Sequence, residues 1–310
     1  MQNLVIKLKV VLVRRLLIIG CGDIGRRVAH LLRSRYRIYA LTRDSARASE
    51  LRTLGITPIM GDLDRPKSLR RLSGLAQLVL HFAPPQNNGA HDLHTRNLLT
   101  ALNKSTILPH RLVFISTSGV YGDCSGALVR ETQPVRPMSG RAQRRADAEK
   151  QIRAWGRRNS VCTSILRVPG IYGAGRLPVE RVLKGTPALR PEDDVYTNHI
   201  HADDLARVAV AALHRGRPGR IYNAGDDVHM KMADYFDMVA DHYGLPHPPR
   251  ISWAEAQQQL SPGLLSFMAE SRRLDNTRIK HELSVKLRYP DVPSALREID
   301  KTVPSYSSRR

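Results

Sequence analysis

Residues 16–27 read LLIIGCGDIGRR. An apolar run ends at Gly20, glycines recur at Gly22 and Gly25, and Ile24, Val28, Leu31 and Leu32 follow at helical spacing. This is G-x-G-x-x-G between a strand and a helix, the context in which the pattern carries meaning. Gly20 permits a tight turn, Gly22 lets the backbone approach a pyrophosphate, and Gly25 lets the helix pack close to the strand. The helix start then offers free N–H groups and the positive end of its dipole. Gly20, Gly22, Asp23, Ile24, Gly25 and Arg26 are the expected phosphate loop.

Outward from this loop, strand and helix patterns alternate, which predicts a doubly wound α/β fold with a parallel sheet, the Rossmann arrangement. The second strand, RIYALT, ends at Thr42 and is followed by Arg43. An acidic residue about twenty positions after the glycine loop binds the ribose 2′-hydroxyl of NAD, whereas an arginine accommodates the 2′-phosphate of NADP. Arg43, with Arg26 in support, tilts the expected cofactor to NADP, and the adjoining Asp44 keeps NAD open. The third strand, TPIM, leads to Asp62 and Leu63, where a carboxylate and backbone N–H groups can meet an adenine. The fourth, residues 77–82, runs into Ala83 and Pro84, small and rigid enough to pass beneath a cofactor ribose. His81, His91 and His94 are irregularly spaced and lack accompanying ligands, so no metal site is expected.

At 310 residues the chain can bury a substantial core. It carries 49 Lys and Arg against 28 Asp and Glu, a net charge of +21. The basic residues are scattered, and aromatics are only 5% of the chain, so a base-stacking platform is not expected. No apolar run has the length of a membrane helix. Residues 1–14 are apolar but interrupted by Lys7 and Lys9, and read as an extension of the first strand. Cys21, Cys124 and Cys162 show no metal spacing and fit reduced thiols in a cytoplasmic protein.

The fifth strand, 111–115, runs into STSGVYGD at 116–123, followed by RVPGIYGAGR at 167–176, YTNHIHADDLARV at 196–208, IYNAGDD at 221–227 and ESRRLDNTRIKHELSVKLRYPD at 270–291. In this order the motifs resemble the extended short-chain dehydrogenase/reductases, the group of NAD-dependent epimerases and dehydratases, over roughly residues 15–297. The resemblance implies a cofactor-binding part at 15–170, a mixed region at 171–297 that completes the sheet and forms a smaller substrate lobe, and a tail at 298–310. It places Pro169 where the backbone meets the nicotinamide, and Thr117 where a hydroxyl bonds the reacting oxygen. It also implies a helical tyrosine followed four residues later by lysine. With Glu149 as anchor, those positions hold Arg141 and Arg145. Arginine cannot serve as a general base, although Arg145 retains the charge to hold a ribose or phosphate. The acidic pair of the dehydratase branch is replaced by Ser118 and Gly119. Tyr121, His199 and His201 are the candidates for a substitute acid, Tyr121 foremost.

These residues predict an enzyme, an NAD(P)-dependent oxidoreductase or epimerase-like protein acting on a carbonyl, sugar or nucleotide sugar, with a small and possibly anionic substrate. A catalytically inactive NADP sensor or scaffold is the alternative, and nucleic-acid binding through the basic surface is a weaker third. A homodimer remains compatible with the pattern.

Overall fold

The computed structural model describes residues 14–303. The expected strand extension at 1–13 lies outside them, as does the end of the tail. Seven strands form one parallel sheet: β1 (Arg15–Ile19), β2 (Arg37–Thr42), β3 (Thr57–Met60), β4 (Leu78–His81), β5 (Arg111–Thr117), β6 (Cys162–Val168) and β7 (Arg220–Asn223). Their spatial order is β7-β6-β5-β4-β1-β2-β3. The chain therefore reverses its direction of winding between β1 and β4, and ligands bind at such a switch point.

Crossover helices between successive strands keep the sheet parallel and cover both of its faces. Along β1, Leu16 and Ile18 enter one core while Leu17 and Ile19 enter the other, and all four are fully buried. Helix α1 (Asp23–Leu32) and a later helix, Ala202–Arg215, pack on the first face. Helices α3 (Leu93–Leu102) and α4 (Gly140–Arg158) cover the second; α2 is Ser45–Thr53. In α1 the buried stripe is Ile24, Val28, Ala29 and Leu32. Leu31, expected on that stripe, is 47% exposed. At about 100° per residue it is turned off the side that Val28 and Leu32 share.

A separate hydrophobic cluster draws on later segments, including Tyr172, Val182, Phe236, Val239, Tyr289 and Val292. Its connection to the sheet runs through Asp204, fully buried near the start of helix Ala202–Arg215. The Asp204 carboxylate accepts the N–H groups of Arg288 at 2.9 Å and Tyr289 at 2.8 Å.

Candidate functional site

Two hollows open where the strands end. The first, a cleft of about 520 Å³, is lined by the glycine loop, the ends of β1 and β2, and the segments after β3 and β4. Gly20 sits at φ +86°, and a Cβ there would stand 2.6 Å from the Ala83 Cα. Glycine is required by both backbone angle and space. Gly25 packs tightly as well, since its Cβ would meet the Gly20 carbonyl oxygen at 3.2 Å. Gly22 is the N-cap of α1 and brings no side chain to its first turn. A Cβ at Gly22 would project into open space, with only Arg47 Nη2 at 4.0 Å. A cradle of this shape with uncapped N–H groups fits a dinucleotide pyrophosphate.

Of the expected loop and cofactor residues, Gly20, Gly22, Arg43, Asp62, Leu63 and Ala83 line the cleft. Asp23 instead pairs with Arg27 at 2.9 Å and Arg176 at 2.7 Å, which holds its carboxyl below the usual range against the opposing effect of burial. Ile24 is core. Arg26, expected to support Arg43, is a correction: it pairs with Glu50 on the surface and does not line the cleft. The second arginine of the cleft is Arg47, one turn further along α2, whose Nη2 donates to the Cys21 carbonyl at 3.3 Å. Asp44 also lines the cleft, but its carboxylate caps α2 by accepting the Ala46 N–H at 2.8 Å. His94 spans two loops of the cleft, 2.9 Å from both the Pro84 carbonyl and Asp64 Oδ1.

The second hollow, about 410 Å³, is lined by Thr117, Ser118, Ser139, Arg141, Pro169, Tyr196, Asn198, Glu270 and Arg272, among others. Thr117 ends β5, and its Oγ1 accepts the Gly119 N–H at 3.2 Å. That bond fixes the oxygen and leaves the hydroxyl proton free to donate. Arg141 is exposed at the first turn of α4. Arg145 lies behind the wall, 4% exposed: its Nη1 donates to the Ala83 carbonyl at 3.1 Å and its guanidinium lies 5.1 Å from the Phe114 ring centroid. Burial, with help from Arg141, pushes it down to about 10, so it is still a cation at neutral pH. Arg272, Tyr196 and Asn198 come from distant segments, within the stretches 196–208 and 270–291 that carry the family resemblance, but that resemblance assigned none of them a role.

The candidate acids are not in this hollow. Tyr121 is a correction: its ring is 1% exposed and its hydroxyl donates into the interior, to Asn223 Oδ1 at 2.7 Å. Burial pushes it up to about 12. His199 is stacked 4.1 Å from the Tyr235 ring and pushed by burial down to about 3. His201 caps the helix at 202, its Nδ1 accepting the Asp203 N–H at 3.2 Å. Each is held by packing before any chemistry is asked of it. Among the described residues no group of three or more His, Cys, Asp or Glu is placed to hold a metal, and no helix is long and apolar enough to cross a membrane.

The model of the NAD dependent epimerase/dehydratase family matches residues 16–225, from β1 to just beyond β7. The chain belongs to this family. Protein YeeZ of Escherichia coli (strain K12) is 29% identical over 183 residues, 58% of this chain and 59% of that protein. The match thus spans about three fifths of that curated relative. The 4-hydroxy-2-methyl-3-oxo-4-farnesyl-3,4-dihydroquinoline-1-oxide ketoreductase of Stigmatella aurantiaca is 26% identical over 243 residues, 73% of this chain and 72% of that enzyme. Among solved structures, a functionally unknown conserved protein from Silicibacter pomeroyi superposes with a TM-score of 0.74 at 28% identity, covering 92% of this chain and 97% of that one.

Proposed function

We propose that the chain is an NADP-dependent oxidoreductase or epimerase-like enzyme acting on a carbonyl or hydroxyl group of a small, sugar-like molecule. The observation that carries this reading is the pair Arg43, just after β2, and Arg47, in the first turn of α2, both lining the glycine-loop cleft. Two guanidinium groups suit a 2′-phosphate, and Asp44 is turned into its cap. When bound, NADP supplies or accepts the hydride. Residues 15–170 hold it, and residues 171–297 provide the far wall of the second hollow, where Thr117 donates a hydrogen bond to the reacting oxygen. A relative named as a ketoreductase supports the carbonyl reading. The three free cysteines support a reducing compartment.

Calorimetric titration of NADP and NAD into the wild-type protein and an Arg43→Ala/Arg47→Ala variant tests the cofactor. A lost charge-assisted contact is worth about 1.5–3 kcal/mol, so NADP affinity should fall about tenfold or more while NAD affinity is nearly unchanged. Equal losses for both cofactors would refute the 2′-phosphate role. A cofactor-binding sensor is the second reading, favoured by Arg141 in the second hollow, because a guanidinium does not exchange protons in the working range. Tight NADP binding with no NADPH oxidation across ketones, aldehydes and nucleotide sugars would select it.

A further inference from the structure

Helix α4 opens with Gly140-Arg141-Ala142-Gln143-Arg144-Arg145 and has no acidic residue in its first turn. This inverts the usual preference, since the N-terminal end of a helix carries partial positive charge and favours anions. Arg144 and Arg145 are buried there and spend their donors on loop carbonyls: Arg144 Nη1 meets Gly89 at 2.7 Å, and Arg145 Nη1 meets Ala83 at 3.1 Å. Arg141 has no hydrogen bond or ion pair among the described residues, and it faces the hollow that holds Thr117. Across that hollow, Arg272 Nη1 donates to the Gly122 carbonyl at 2.7 Å and to Glu270 Oε2 at 2.8 Å, while its buried Nε has no partner. The Arg272–Glu270 pair cancels in charge, which leaves Arg141 as the uncompensated cation of the lining. The N-cap Ser139 satisfies only the Ala142 N–H, at 3.2 Å. The N–H groups of Gly140 and Arg141 find no acceptor among the described residues.

We infer that this hollow takes a substrate bearing an oxyanion, a carboxylate or a phosphoryl group, gripped by Arg141 and the α4 N-terminus within reach of Thr117. The inference rests on the reading of this hollow as the substrate site. Neutral hydroxyls would leave the Arg141 charge unanswered, whereas a planar or tetrahedral oxyanion accepts two of its N–H donors at once. Arg141 thereby occupies the place where the family resemblance expects a proton donor, and serves as a specificity-determining residue instead.

The test is calorimetry with oxalate, inorganic phosphate and the neutral oxamide, in the presence of saturating NADP so that the Arg43–Arg47 cleft is filled, on wild type, Arg141→Gln, Arg141→Lys and the surface variant Lys104→Ala. Arg141 is exposed, so its substitution is expected to leave the thermal midpoint within about 1–2 °C, as surface changes usually do. Binding of oxalate or phosphate, but not oxamide, should weaken about tenfold or more in Arg141→Gln, as loss of a charge-assisted pair implies. Arg141→Lys should retain more affinity than Arg141→Gln, and Lys104→Ala should bind the anions as wild type does. Preference for oxalate identifies a carboxylate substrate, and preference for phosphate a phosphorylated one. Failure of both anions to bind, binding of oxamide equal to oxalate, or anion binding retained in Arg141→Gln overturns the inference. NADP titrated into the same proteins keeps the two claims apart. If wild type binds no NADP the cofactor reading fails, whereas NADP binding without Arg141-dependent anion binding sinks this inference alone.

Discussion

At Thr117 a single hydroxyl is prepared for donation. The Gly119 N–H occupies an acceptor site of Oγ1 and leaves the hydroxyl proton free to be donated. Thr117→Val keeps the volume and removes that donor. Loss of one donor to a developing oxyanion costs roughly a hundredfold in kcat or more, and steady-state rates of NADPH oxidation measure it. Unchanged turnover would remove Thr117 from the reaction. Tyr121, four residues further on, shows why residue type alone does not assign chemistry. Its phenol is sealed against Asn223 with the Arg167 guanidinium 4.6 Å from its ring centroid, and a raised pKa in such a setting reflects packing.

At the scale of elements, α4 is clamped to the sheet by one carboxylate. Glu149 accepts from Ser116 Oγ on β5 at 2.6 Å, and from Arg167 Nε and Nη2 on β6 at 3.1 and 2.7 Å. Both members of the ion pair are buried, with side chains 4% and 5% exposed. The clamp sets where the N-terminal turn of α4, and with it Arg141, stands relative to the end of β5. Glu149→Ala leaves a guanidinium buried without its counter-charge, which costs about 3–5 kcal/mol. Ser116→Ala removes only a hydroxyl and should cost about 1–2 kcal/mol. Urea unfolding of the two variants gives the comparison, and equal midpoints would show that the carboxylate is not the clamp.

Over the whole molecule, buried titratable groups set the dependence of stability on pH. His81 and His199 are both pushed by burial from 6.5 down to about 3. Between those values the unfolded chain binds protons that the folded one refuses, so each contributes stability that is lost as pH falls below about 6.5. Asp226 acts in the opposite sense. Burial, with Asp227 and Asp291 adding to it, pushes its carboxyl from 3.8 up to about 8, and its Oδ2 has no partner among the described residues. Here the folded state holds the extra proton, and stability falls as pH rises from about 4 to about 8. These three groups together place maximal stability near pH 6.5. Asp226→Asn imitates the protonated carboxyl, so its thermal midpoint should exceed that of wild type by a margin that widens between pH 5 and pH 8. A margin independent of pH would show that Asp226 does not titrate in this window. The net charge of +21 is the excess of 49 Lys and Arg over 28 Asp and Glu, and surface pairs such as Arg26–Glu50 and Arg288–Glu298 add nothing to it.

What the sequence by itself determined is local: strand β1, the turn at Gly20, helix α1 and the order of the alternating strands. Each follows from side-chain period or from a backbone angle, and both are properties of a few consecutive residues. Arg43 was read from its place after β2 and Thr117 from the family resemblance, and they line the first and the second hollow respectively. Tertiary structure alone decided where side chains point once several orientations are locally allowed. Arg26 met Glu50 and gave its expected place to Arg47. Tyr121 turned inward to a partner 102 residues away, and Arg272 reached the second hollow from 155 positions beyond Thr117 in the chain. Such placements depend on burial and on partners distant in sequence, which no window of neighbouring residues contains.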